Sequence, residues 1–207
     1  MKQSLLGHVL TAALFLAGCA TPHPITSYAN RVNEQKICCT SFREMNFGEL
    51  TVGEKRDFSI DSDSPVFMFK DGRSRFAALQ LPALTIAAKL RLETHVVPLW
   101  IEPTVFDPFV TFLGKDYESI GEAVPTLRFK SDFFAGRYWE SEIPVPPGAA
   151  YAVVYTKPVL YLTFMYYNPE KSGTFVPGKV PLVIPTQRVP IMAGPHGKLA
   201  LEIVAAH

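Results

Sequence analysis

Apolar and polar residues alternate with a period of two along residues 84–93, where Leu84, Ile86, Ala88, Leu90 and Leu92 interleave with Thr85, Ala87, Lys89, Arg91 and Glu93. Successive side chains of a strand point to opposite faces, so this pattern predicts a strand with one buried face. Upstream, Phe58 and Ile60 alternate with Ser59 and Asp61, and the run Pro65, Val66, Phe67, Met68, Phe69 stops at Lys70, Asp71, Gly72 and Arg73. The Asp-Gly pair tolerates positive φ and predicts a hairpin. Its second strand is expected over residues 73–81, with Phe76, Ala77, Ala78 and Leu79, closed by Pro82. Further strand-like segments fall at residues 96–101, 109–113, 126–129, 138–143, 150–155, 160–166, 180–184 and 199–204, with proline and glycine clusters at 144–148 and 194–197. Eighteen prolines oppose long helices. The expected fold is all-β, an antiparallel β-sandwich or jelly roll, as one domain over residues 38–207. A subdomain boundary near 144–149 or 168–179 is the alternative.

The N-terminus has a different character. Lys2 precedes an apolar run over residues 5–17, interrupted by Gly7, His8 and Thr11, and the run ends in Leu16, Ala17, Gly18 and Cys19. A basic start, a short apolar stretch and small residues before a cleavage point mark a secretory signal, expected over residues 1–18. The run is shorter than the roughly 20 residues that a membrane helix needs. Leu16 to Cys19 resembles the lipobox of bacterial lipoproteins, which implies a diacylglycerol thioether on Cys19, cleavage before it and acylation of the new amino group. Membrane lipid is thus the first expected partner, because each buried methylene adds about 0.8 kcal/mol. Ala20 stands where an aspartate would signal inner-membrane retention, which favours the outer membrane facing the periplasm. Residues 19–37, with two prolines and scattered charge, are expected to form a flexible lipidated tether, with a helical turn around residues 28–36.

Without residues 1–18 the chain holds 19 basic and 19 acidic residues, a balance that does not support a strongly basic nucleic-acid face, and no nucleic-acid partner is expected. Cys38 and Cys39 then remain as the only other cysteines. Neighbouring α-carbons lie about 3.8 Å apart, below the usual disulfide window of roughly 4.4 to 6.8 Å. A strained bridge, two structural thiols and bridges to another chain all stay open, and catalytic redox chemistry would favour a Cys-x-x-Cys spacing. The chain contains no Gly-x-Ser-x-Gly, His-Glu-x-x-His or phosphate-cradling glycine loop. His23, His95, His196 and His207 are dispersed, so no metal centre or cofactor is expected. His95 is expected in a strand with a satisfied ring nitrogen, and His196, between Pro195 and Gly197, in an exposed turn. Asp61 and Asp63 are expected to make turns before Pro65, rather than a calcium loop. No catalytic residues are assigned.

Aromatic residues are the remaining candidates. Trp100 lies beside Ile101 and Glu102, and Tyr138 and Trp139 lie between Arg137 and Glu140. A flat ring flanked by charged groups suits a sugar, whose apolar face stacks while its hydroxyls find donors and acceptors. In a strand Tyr138 and Trp139 face opposite ways, so one surface takes at most one of them. The competing expectation places both tryptophans in the core.

Residues Ser64-Pro65-Val66-Phe67-Met68-Phe69, then Gly72, Ser74 and Phe76-Ala77-Ala78 ahead of Leu81-Pro82, form one group of matching positions. With Cys38-Cys39 before Phe47, and Asp61 before Ser64, this group resembles the maltose-operon periplasmic protein family. The likeness is best over residues 38–82 and looser through about residue 155. It implies an exported envelope protein encoded with maltodextrin uptake genes, with no active site to transfer. The expected function is a noncatalytic lipoprotein that binds or scaffolds in maltodextrin handling, with maltodextrin or its uptake proteins as partners. The alternative is a structural lipoprotein contacting an outer-membrane channel or peptidoglycan without binding sugar.

Overall fold

The computed structural model describes residues 24–97, 104–132, 136–161, 164–167 and 189–206. Two antiparallel sheets dominate. The first runs β1 (Gly48–Glu49), β4 (Gly72–Gln80), β11 (Tyr151–Tyr155), β7 (Phe109–Leu113), β8 (Ser119–Ala123), with β3 (Val66–Phe69) also on β4. The second runs β2 (Arg56–Ile60), β14 (Gly197–Ala205), β5 (Ala88–His95), β10 (Gly136–Pro144), β9 (Arg128–Asp132). A small third sheet joins β12 (Phe164–Tyr167), β13 (Val189–Ala193) and β6 (Thr104–Val105). Among these ladders only β1–β4 and β13–β6 are parallel.

The sheets face each other across one core. Ala77 and Leu79 of β4, Ala152 and Val154 of β11, and Val110 and Phe112 of β7 meet Leu90 and Leu92 of β5 and Leu199, Leu201 and Ile203 of β14. Each fully buried leucine or valine contributes roughly 1.5–3 kcal/mol, which makes this interface the main source of stability. Residues on both sides of the 144–148 turn, Ile143 and Ala152, belong to the same core. The chain therefore has no core boundary there, while residues 168–179 lie outside the described residues.

The first sheet is buried on its outer face as well. Phe76 and Ala78 of β4 and Val153 and Tyr155 of β11 point away from the sandwich into a second cluster with Phe67, Phe69, Cys39 and Met45. Phe69 stacks on Tyr155 with centroids 3.8 Å apart, and Phe42 packs 5.2 Å from Phe67. The segment that supplies this cover is held by Thr40, whose backbone N–H and hydroxyl both donate to the Glu44 carboxylate at 2.9 Å. Cys38 and Cys39 are bonded to each other, Cys38 exposed and Cys39 buried against the aromatics. Of the three states open to this pair, the structure shows the intrachain bridge between neighbours.

Several expectations shift. The stretch expected as a tether contains α1 (Pro24–Glu34), whose Val32 is wholly buried. Arg73 donates to the carbonyls of Asn33 and Gln35, the latter at 3.3 Å, at the helix C-terminus where a cation is favoured. Strand β5 begins at Ala88 rather than at residue 84, and Ile86, expected on the buried face, is 67% exposed. The period-two pattern runs on past the strand's first ladder bond. The hairpin forms as expected, with Phe69 opposite Gly72, and Gly72 alone carries the positive φ, 120°.

His196, expected in an exposed turn, is half-buried. Its Nε2 lies 2.7 Å from Nη1 of the buried Arg75, and burial, then the charge of Arg75, lowers its pKa to about 4, with Asp61 opposing and Arg31 reinforcing the shift. The imidazole is therefore neutral at pH 7 and accepts from the guanidinium. The unfolded chain takes up this proton near pH 6.5 but the folded chain only near 4. His196 therefore makes stability fall with decreasing pH across that window. Denaturant unfolding from pH 7.5 to 4 is expected to show a steeper loss for the natural chain than for His196→Gln, and equal slopes would contradict this.

Candidate binding groove

Two connections cross between the sheets at the same end of the sandwich: residues 81–87 from β4 to β5, and 145–150 from β10 to β11. Backbone bonds from Leu81 N to Ala150 O and from Ala150 N to Leu113 O, both 2.8 Å, extend the first sheet outward. Val145 N to Ala88 O and Ala206 N to Ala87 O, both 3.0 Å, extend the second. Between these margins lies an open groove of about 1000 Å³. One wall is a type II turn: Ala149 N–H donates to Pro146 O at 3.1 Å, Pro147 presets its own φ, and Gly148 takes a φ of 83°. The wall is stiff because proline and hydrogen bond leave the turn little freedom.

The lining is mainly apolar, from Leu84, Ile86, Val145 and the prolines, with Gln80, Thr85, Lys89, Lys115 and Tyr151 as the polar groups. Lys89 is paired with Glu142 at 3.0 Å. None of the described lining residues is an acid, a histidine or a cysteine. The groove therefore holds hydrogen-bond donors and, among the described lining residues, no carboxylate.

Tyr151 opens β11 opposite Gln80 and Leu113. Its ring stacks on Tyr117 at 4.6 Å and 15° and leans on Phe47 at 4.6 Å, and its hydroxyl donates to that of Tyr117 at 3.2 Å. That hydrogen bond holds the Tyr151 phenol above its ordinary pKa. Arg43 sits 5.6 Å from the Tyr117 ring centroid. Tyr117 is the one described non-glycine residue with positive φ, 65°, in a loop closed by Tyr117 N to Gly114 O at 3.1 Å and Gly114 N to Glu118 O at 3.0 Å. A left-handed backbone costs a side-chain-bearing residue about 1–2 kcal/mol. The ring contacts, each worth roughly 0.5–1.5 kcal/mol, are what offset it.

The aromatic residues singled out in the sequence are placed elsewhere. Trp139 is 3% exposed, packed edge-on against Phe129 at 5.4 Å and clustered with Val105 and Ile191. Its strand position, with Ser141 and Ile143, points inward, so it is a core residue and not a sugar platform. Tyr138, on the opposite face as the alternation requires, is half-buried with His95 at 5.4 Å. Trp100 lies outside the described residues. The structure thus brings Tyr151 to the groove, with Tyr117 stacked behind it, and places Trp139 in the core. Gly114 and Asp116, turn-forming residues flanking Lys115 between two strand-like segments, are the signal that could have marked Tyr117. No protein-family model, curated protein or solved structure matches the chain.

Trp139→Ala is expected to cost about 3–5 kcal/mol in urea denaturation. Tyr117→Gly should prove more stable than Tyr117→Ala by about 1 kcal/mol, because only glycine is free of the left-handed penalty. Equal stabilities for the two would show that the backbone at Tyr117 is unstrained.

Proposed function

We propose that this chain is a noncatalytic lipoprotein of the bacterial envelope, held by lipid on Cys19 at the periplasmic side of the outer membrane, that binds linear glucose oligosaccharides in maltodextrin uptake. The groove at the end of the sandwich carries this proposal. A glucose unit presents an apolar ring face and a rim of hydroxyls, and the groove offers an apolar lining edged by Gln80, Lys89, Lys115 and the Tyr151 hydroxyl. Glycoside hydrolysis needs two carboxylates across the scissile bond, and the described lining supplies none, which supports binding over cleavage. The resemblance of residues 38–82 to the maltose-operon periplasmic protein family supports the class of ligand, and Leu16 to Cys19 supports the anchor. The exposed Ile86 at the groove also favours a second function, contact with an outer-membrane channel without sugar.

Calorimetric titration of the full chain with maltotriose to maltoheptaose is expected to show saturable binding, with no release of reducing sugar. Tyr151→Ala should weaken it at least about tenfold, or about 1.4 kcal/mol, while thermal melting shows an intact fold. Absence of heat at millimolar oligosaccharide would sink the sugar function and favour the channel contact. Radiolabelled palmitate should enter the natural chain in cells but not Cys19→Ala; label persisting in the variant would defeat the anchor.

A further inference from the structure

Strand β4 also carries Arg75, which is 2% exposed and whose side-chain hydrogen-bond partners among the described residues are both neutral. Nη1 lies 2.7 Å from His196 Nε2, Nη2 donates to Gln35 Oε1 at 3.0 Å, and Nε has no partner among the described residues. Gln35 cannot turn its amide round, because its Nε2 donates to the carbonyls of Ser62 and Ser64 at 3.3 and 3.2 Å. Two acids, Asp61 and Asp63, act on Arg75 through their charge, but neither is a hydrogen-bond partner of it, and Asp61 commits Oδ1 to its own turn, accepting from Asp63 N at 3.0 Å and Ser64 Oγ at 3.4 Å. A guanidinium taken out of water costs several kcal/mol unless an anion and full hydrogen bonding compensate it. Here the compensation is incomplete.

Arg75 lines a cavity of about 440 Å³ to which Arg31 and Lys198 add two further cations, with Asp61 the single acid among the described lining residues. Ser62 and Thr104 add hydroxyls. Separate segments converge on it: α1, the end of β2 with the β2–β3 connection, β4, Val97 after β5, Thr104 of β6, and the start of β14. The cavity shares no lining residue with the groove.

We propose that this cavity binds a small oxyanion, the carboxylate or phosphate group of a compact solute, with Arg75 as the principal contact and Arg31 and Lys198 completing the charge. The planar fork of arginine matches both groups by paired hydrogen bonds, and the unpartnered Nε is the donor that an oxyanion would satisfy. A volume of this size suits a small metabolite rather than a polymer. Because the site joins α1 to the body, occupancy stabilises the fold by mass action.

The test is calorimetric titration and thermal melting of the full chain with inorganic phosphate, succinate and maltotriose. Saturable binding of phosphate alone assigns a phosphate ligand, and of succinate alone a carboxylate; either supports the site, together with a rise in Tm. Lys198→Gln and Arg31→Gln should each weaken the anion several-fold. Arg75→Lys, which keeps the charge and loses the fork, should weaken it at least about tenfold. Should Arg75→Lys fail to fold, the other two variants carry the test alone. No saturation by either anion at tens of millimolar, affinity unchanged in Lys198→Gln and Arg31→Gln, or displacement of the anion by maltotriose would overturn the proposal.

Discussion

The first sheet is apolar on both faces, and most of the architecture follows from the need to cover both. Antiparallel sheets commonly keep one wet face, and the second sheet does so, with Arg91 held between Glu142 and Glu202 at 3.1 Å each. On β4 and β11 that option is closed: Ala77, Leu79 and Val154 need the opposing sheet, while Phe76, Val153 and Tyr155 need a separate lid. Residues 39–47 provide it, and the helix before them is drawn against β4 by Arg73 and Arg75.

The second sheet was readable where burial is one-sided. Residues 88–92 and 139–143 alternate because one face meets the core and the other meets water, and period two reports that directly. The limits of the strands were less visible. Ile86 keeps the phase of the pattern but lies beyond the ladder, since alternation records side-chain chemistry and not backbone bonds. Strand β13 carries Pro190, which lacks an N–H and argues against a strand; pairing with both β12 and β6 overrides that local signal. Helix α1 was half-seen, as a turn, because its buried face rests on single contacts such as Val32 and has no sustained apolar stripe.

The candidate sites were less legible than the fold. Tryptophans beside charges looked like platforms, yet Trp139 takes the inward phase of its strand, which chemistry of its neighbours cannot reveal. The aromatic residue that does reach the groove, Tyr151, sits at a strand's first residue, and it meets Tyr117 of the β7–β8 loop only because β7, β8 and β11 are neighbours. Arg75 lies in the strand expected over residues 73–81, and nothing in its sequence neighbourhood marks it. Its burial depends on Gln35 and His196, forty and 121 positions away, and such separations leave no local trace.

The bridge between Cys38 and Cys39 joins adjacent residues, so it closes no loop larger than the two residues themselves. Crosslinks stabilise chiefly by shrinking the unfolded ensemble, in proportion to the logarithm of the loop they close. This one leaves the entropy of the unfolded chain nearly untouched. Its effect is local: the bridge sits beside the first residue of β3, where Cys38 N–H donates to Val66 O at 2.8 Å, and acts through the packing of Cys39 in the aromatic cluster.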